Sequence, residues 1–488
     1  MEVFIMKEKK IFALSAIFAI CFAMTGCGNA NQSTEDETDE IVLNVYNCAD
    51  YISETDGENI GVLEQFEEYC LNVLGKKVSV TYSTYETNED MFNQLKAGGV
   101  QYDLVCPSEY MIEKMIKEGM VEKLTAPISN YEQYGSPYIK DTFNGLTTEK
   151  GESFAEYAVP YMWGTMGFMY DPSKVTLDAV SSWDIIWDEK YKNQSSLKDS
   201  IRDTYVSATL HIYKEELLLL KDLYSRNLIT ASEYTDKVSN IMNRCDDSTI
   251  NLVGAALKSA KENIYEFEVD TGKENIIKGK YYVNLCWSGD AVYSLDLAEE
   301  EGVILNYKIP EEGSNIWFDG WVMPKGANVE LAQELMNFLC DPSIASQNMG
   351  YVGYTSGVAG QEIWELVKEW YDSDEEGTVE YDLTYFFKDT GIVDENGNLM
   401  DKFIIHTKDV NRQLFAQYPD YETIIRCGTM KDFGTQNDKV TEMWISVKGN
   451  EASWVIFVFL GVVIGLVVLF EVKNAHARRA RKSRNRSR

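Results

Sequence analysis

The chain has 488 residues, 45% of them hydrophobic, and a formal net charge of −33. That length and apolar content suit a globular protein with room for two domain cores. The acidic field excludes nucleic acid as a partner and concentrates cations around the protein. The ends oppose the bulk: residues 1–26 carry +1, and from Glu471 onward eight Lys or Arg stand against one Glu, which leaves −41 on the stretch between.

Lys7, Lys9 and Lys10 precede an apolar run over 11–24 that ends in small residues before a cysteine. That order reads as an export signal over 1–26, with Met6 a second candidate start. Ala23-Met24-Thr25-Gly26-Cys27 resembles a bacterial lipobox, with Met24 where Leu is usual, and implies lipidation of Cys27. An ordinary signal peptide or anchor with an incidental cysteine is the alternative. Residues 27–40, rich in Asn, Gln, Ser, Thr and acids, read as a flexible tether.

Alternation predicts a strand over 41–46, helical spacing a helix over 58–74, and alternation again a strand over 77–84. A second helix is predicted over 88–97, closed by Gly98-Gly99, then a strand over 102–106 and a helix over 110–118 after Pro107-Ser108. Strand and helix alternating in this way give a parallel sheet with crossover helices. Ligands of such sheets bind in the loops past the strands' carboxyl ends, which here are 47–51, 83–88 and 107–110. Farther on come an apolar aromatic run over 159–170, a short helix over 182–187 with Ser182 as cap, and helices over 210–223 and 231–242. A strand over 280–287, segments 302–310 and 317–324, and a helix over 329–339 follow. Asp-Glu-Asn-Gly at 394–397 marks a hairpin turn. The uncharged run 452–470 is 19 residues long with no polar stripe, enough to span a bilayer. The basic tail 471–488 orients that span with its carboxyl end inward.

Nine cysteines and three histidines form no Cys-x-x-Cys pair and no metal constellation. The cysteines in apolar runs read as buried free thiols. No nucleophile elbow, phosphate loop or cofactor motif occurs, so no cofactor and no enzymatic activity are expected. Four stretches do set an aromatic ring close to an aspartate: Asp50-Tyr51, Asp203 beside Tyr205, Trp287 to Asp290, and Trp317 to Asp319. Rings attract ammonium charge and cover methylenes, while carboxylates accept N–H bonds, so together they suit an organic cation. Paired acids in aromatic clefts also occur where sugars are cleaved, which keeps a hydrolase as the rival reading.

The ordered motifs resemble the spermidine/putrescine-binding proteins of bacterial polyamine importers, over about 41–445. They include Leu-Asn-Val-Tyr-Asn-Cys-Ala-Asp-Tyr-Ile at 43–52, Ser-Thr-Tyr-Glu-Thr-Asn-Glu at 83–89 and Tyr-Asp-Leu-Val-Cys-Pro-Ser-Glu-Tyr-Met at 102–111. Pro-Tyr-Met-Trp-Gly-Thr at 160–165, Trp-Ser-Gly-Asp at 287–290, Trp-Phe-Asp at 317–319 and Tyr-Pro-Asp-Tyr-Glu-Thr at 418–423 continue the order. The resemblance implies an α/β, two-lobed periplasmic-binding-protein fold, with a hinge and a ligand cleft between the lobes. It implies a first lobe of 41–157 and 319–358 and a second of 158–318 and 359–450. It also implies a polyamine ligand, handed to an ABC permease with a separate ATPase at the outer face of the membrane. Carried over by position, Asp319 anchors one ammonium and Asp203 the other, and Trp287 and Trp317 sandwich the methylenes. Tyr51, Ser108, Tyr110 and Tyr351 line the first lobe, and Asp50 and Asp290 match acids of the putrescine-preferring branch. Three positions depart from the pattern: Cys48 replaces an aromatic, Ser200 an acid of the spermidine branch, and Met430 a glutamine. A membrane-anchored polyamine sensor and a binding protein for another small cation stay open as alternatives.

Overall fold

The computed structural model describes residues 40–57 and 59–449. The export signal, Cys27, nearly all of the tether, the run 452–470 and the basic tail lie outside the described residues. Among the described residues no helix is long and apolar enough to cross a membrane.

Strands β1 (Ile41–Cys48), β2 (Val78–Tyr85) and β3 (Leu104–Val105) pair in parallel, with β1 in the middle. Alternation along β1 drives Leu43 and Val45 into the core. The crossover helix expected over 58–74 starts later, at Val62, behind the extended Gly61. It ends in a widened π turn, Cys70–Leu74, closed by the left-handed Gly75. Helix Asn88–Ala97 runs as expected, and its cap Thr87 accepts the backbone N–H of Asp90 at 3.1 Å. The strand expected over 102–106 is shorter because the Tyr85 hydroxyl takes the Cys106 carbonyl at 2.6 Å and Pro107 has no N–H to pair.

Next come β4 (Ala158–Tyr170), β5 (Ser195–Lys198), β6 (Glu266–Glu268), β7 (Val283–Trp287), β8 (Asn306–Lys308) and β9 (Ser314–Val322). The sheet order is β2-β1-β3-β9-β4-β7-β5-β6. A second parallel block, β7-β5-β6, thus stands at the far end. The long antiparallel pair β4 and β9 joins the two blocks, with a register shift between Pro160 and Trp163. Every residue of β4 is buried. Its first half, through Trp163, packs with β1, β3 and residues 363–418. From Met166, its inner face packs with Trp183, Leu197, Val206 and Leu285. From Gly164-Thr165 on, one face of the strand serves the second core while Met169 on the other stays with the first, in a two-lobed α/β molecule.

The helix expected over 210–223 is two helices, Ile201–Ile212 and Lys214–Ser225, broken at Tyr213. The first was missed because residues 202–210 are buried on every side, which erases the 3.6-residue stripe. Ser200 caps it through the backbone N–H of Asp203. Helices Ala231–Met242 and Val329–Leu339 keep their expected bounds. The turn at 394–397 closes with Gly397 N–H on the Asp394 carbonyl at 2.9 Å. Cys48, Cys70, Cys106, Cys245, Cys286, Cys340 and Cys427 are free thiols, five of them buried.

Candidate ligand site

Asp319 projects from β9 where that strand meets the loop after β3, and it forms an isolated bridge with Ser108. Ser108 Oγ donates to its Oδ1 and Tyr51 Oη to its Oδ2, both at 2.6 Å. Burial pushes the Asp319 carboxyl up to about 6 against the pull of those two bonds, and the charge of Asp203 adds to the rise. Ser108 is itself held by Asn88, whose side chain exchanges bonds with its N–H at 3.1 Å and its Oγ at 3.0 Å. Behind this corner lies Glu109, which accepts the backbone N–H groups of Phe318 and Met430 and which burial pushes up to about 8.

Tyr51 is fixed by Tyr161, whose hydroxyl donates to the Tyr51 carbonyl at 2.8 Å. The rings of Tyr161 and Tyr354 meet it edge-on at 5.5 and 5.2 Å. Tyr354 lies 5.7 Å from Trp317, centroid to centroid, and donates its hydroxyl to Asp290 Oδ1 at 2.9 Å. Trp317 packs over Gly164, where a Cβ would stand 2.5 Å from the indole and 2.3 Å from Ser288 Oγ, so only glycine fits.

On the other side, Asp203 sits in the first turn of helix Ile201–Ile212, where the helix dipole favours a carboxylate. Trp287 Nε1 donates to its Oδ1 at 3.3 Å. Burial raises the Asp203 carboxyl, and the Ser200 hydroxyl, the Trp287 N–H and the charges of Lys198 and Arg202 oppose that rise. Lys198 stands over the Trp287 ring with Nζ 4.4 Å from the centroid and pairs with Asp290 at 3.2 Å. An unbroken series of contacts therefore runs from Asp319 through Tyr51, Tyr354, Asp290, Lys198 and Trp287 to Asp203. Among the described residues, neither Asp319 nor Asp203 has an ion-pair partner.

The structure thus gathers Tyr51, Ser108, Asp203, Trp287, Asp290, Trp317 and Asp319. Tyr110 stands beside them, donating to Glu89 at 3.2 Å with the Arg202 guanidinium 5.5 Å from its ring. Asp50 and Tyr351 do not share the cluster's hydrogen bonds or ring contacts. Asp50 is exposed in a left-handed turn with φ 52°. Tyr351 is 47% exposed and feels the charges of Glu54, Asp50 and Asp56 instead of the cluster. The tyrosine in the cluster is Tyr354, in the second of two Gly-Tyr pairs three residues apart. Lys198, Tyr161 and Glu109 also escaped sequence reasoning. Of the departing positions, Cys48 is partly buried with its thiol pushed up to about 12 by burial and the Asp319 charge, and Met430 is buried against Glu109.

The sequence pattern described as bacterial extracellular solute-binding protein matches residues 62–371. The chain belongs to this family. It is 28% identical over 325 residues to the spermidine/putrescine-binding periplasmic protein of Salmonella typhimurium, covering 66% of this chain and 79% of that one. It is 30% identical over 338 residues to the putrescine-binding periplasmic protein SpuD of Pseudomonas aeruginosa, again covering 66% and 79%. The spermidine/putrescine ABC transporter substrate-binding protein PotD of Streptococcus pneumoniae is similar in structure. Its TM-score is 0.54 at 25% identity, over 84% of this chain and 98% of that one. The two-lobed architecture of this solute-binding protein is the one such neighbours share.

Proposed function

We propose that this solute-binding protein captures polyamines, putrescine and spermidine, between its lobes outside the cytoplasm and delivers them to an ABC permease powered by a separate ATPase. One observation carries the reading: among the described residues, the part-buried Asp319 and the buried Asp203 have no ion-pair partner, and Tyr51, Tyr354, Trp317 and Trp287 belong to the same run of contacts. A buried charge left unpaired is costly, and a ligand ammonium at each end removes that cost. Rings between the ends cover methylenes, at about 0.8 kcal/mol for each one buried, and add roughly 0.5–2 kcal/mol per ammonium. After association costs, a dissociation constant near micromolar, about −8 kcal/mol, is expected. The names of the relatives in Salmonella and Pseudomonas support the same ligand class.

In this reading the lobes close about β4 and β9, the strands common to both. Cys27 bears the lipid and 452–470 spans the bilayer, so the binding part stays at the outer face. Cys27→Ala should then lose labelling by a fatty-acid analogue yet stay with the membrane fraction, and release into the medium would remove the second anchor. The ligand class is tested by calorimetric titration of the full chain in detergent with putrescine, spermidine, glucose and ferric citrate. Heat with the polyamines alone is the expected outcome; folded, ligand-free protein that gives none with either polyamine would overturn the proposal.

A further inference from the structure

Lys198 closes β5 with its side chain 1% exposed. Its Nζ donates to the Val269 carbonyl at 2.6 Å and lies 3.2 Å from Asp290 and 3.3 Å from Glu268. Lys273 reaches Asp290 Oδ1 at 3.7 Å from the other side. Burial works against the Lys198 ammonium, but the charges of Asp290 and Glu268 outweigh it and hold the group above the usual lysine range. Lys273 lies closer still to Asp270, at 3.1 Å, so the five side chains, two ammonium groups and three carboxylates, sum to −1. The same ammonium lies against the Trp287 ring, 4.4 Å from its centroid.

We infer that Lys198 is a specificity-determining residue, a built-in ammonium that consumes the Asp290 carboxylate and occupies the Trp287 ring, so that the cleft accepts two ligand ammonium groups and disfavours a third. This rests on the polyamine reading above and deepens it. The remaining charges of the site agree with that count. Glu89, beyond Tyr110, is offset by Arg202, whose charge reaches it. Glu109 is pushed up to about 8 by burial, and its two oxygens are turned toward the backbone N–H groups of Phe318 and Met430. Among the described residues, Asp319 and Asp203 have no ion-pair partner, and they match the two charges of a diamine. A triamine must place its third ammonium with no free carboxylate and with Lys198 nearby, where like charges repel. The selection acts through charge, because Lys198 donates to Val269 and Asp290 and not to Asp319 or Asp203.

The test is competition between labelled putrescine and unlabelled spermidine on the full chain and its variants. Lys198→Met makes the cluster more negative by one charge, and the affinity of spermidine relative to putrescine should rise at least tenfold. Lys198→Arg keeps the charge and should keep the wild-type ratio. Lys198→Met/Asp290→Asn restores the cluster's wild-type charge and should bring the ratio back to within about threefold of wild type. An unchanged ratio in Lys198→Met, or an equal rise in the double variant, overturns the inference while leaving polyamine binding itself intact. Wild-type protein that binds neither amine overturns the parent reading and this one with it. Should Lys198→Met not fold, Asp290→Asn serves instead. It makes the cluster more positive by one charge, and spermidine should lose at least tenfold more affinity than putrescine; equal losses overturn the role of Lys198.

Discussion

Acidification should weaken polyamine binding well above the pH at which ordinary carboxylates titrate. Asp319 is the reason, since burial lifts its carboxyl from 3.8 to about 6 in the ligand-free protein. Alkylammonium groups stay charged throughout, with ordinary values near 10, so the change comes from the protein. The ligand binds the ionised form, and at pH 5 about one tenth of Asp319 is ionised, against nearly all of it at pH 7.5. The dissociation constant should therefore rise about tenfold, roughly 1.4 kcal/mol, as pH falls through 6. The raised carboxyl of Asp203 acts in the same direction, while the neighbouring thiols of Cys48 and Cys106 are held protonated across the range. Stability of the empty protein runs the opposite way. A folded-state value above the unfolded one means that the native state holds more protons, so this group's contribution is full below about 4 and is lost as pH rises through 6. Calorimetry at pH 5, 6 and 7.5, with thermal melts of the empty protein alongside, measures both. Affinity that is flat or tighter in acid would refute the assignment of Asp319 as the anchor.

Asp319→Asn should cost on the order of 2–5 kcal/mol of binding, as for a buried charge that loses its partner, and Asp50→Asn, at an exposed turn, should cost far less; equal losses in titration would show the anchor misassigned. Tyr354→Phe keeps the ring and loses the bond to Asp290, about 1 kcal/mol or several-fold in affinity, whereas Tyr351→Phe should leave binding unchanged; the reverse order would restore Tyr351 to the site. Putrescine should bind as tightly as spermidine or more so, and Ser200→Asp should move the ratio toward spermidine. A wild-type spermidine preference above about tenfold in competition binding would defeat that expectation.

Much of the first parallel block was legible because its strands alternate and its helices carry stripes. Ile41–Cys48 puts Leu43 and Val45 inside by period two, and Asn88–Ala97 opens on a capping threonine. Legibility fails where burial is complete, since a segment with no solvent face shows no period. Helix Ile201–Ile212 presents the candidate anchor Asp203 in its first turn, yet nothing in Arg-Asp-Thr-Tyr-Val-Ser-Ala-Thr-Leu reads as a helix stripe. The site was legible where an acid and a ring are near in sequence, as in Trp317 to Asp319. It was not legible where partners are distant. Lys198 and Asp290 are 92 residues apart and Lys198 closes a four-residue strand, so no local pattern marks the pair. Tyr351 and Tyr354 each follow a glycine; only the fold separates the exposed ring from the one packed on Tyr51.

Ser200 and Lys198 lie two residues apart and act on the same quantity. An aspartate at 200 would cap helix Ile201–Ile212 as well as serine does, so the cap alone does not call for serine. What serine removes is a third free carboxylate beside Asp203. Lysine at 198 removes a fourth by pairing with Asp290, and it does so without taking away a hydrogen-bonding group or adding bulk between the anchors. As proposed, both residues bear on the charge of the ligand and not on its length, while Cys48 is smaller than the aromatic that the family resemblance puts at that position. A cleft selective by shape would reject long chains whatever their charge. If Lys198 acts as proposed, a third ammonium binds less favourably, because it must shed water without a free anion to receive it.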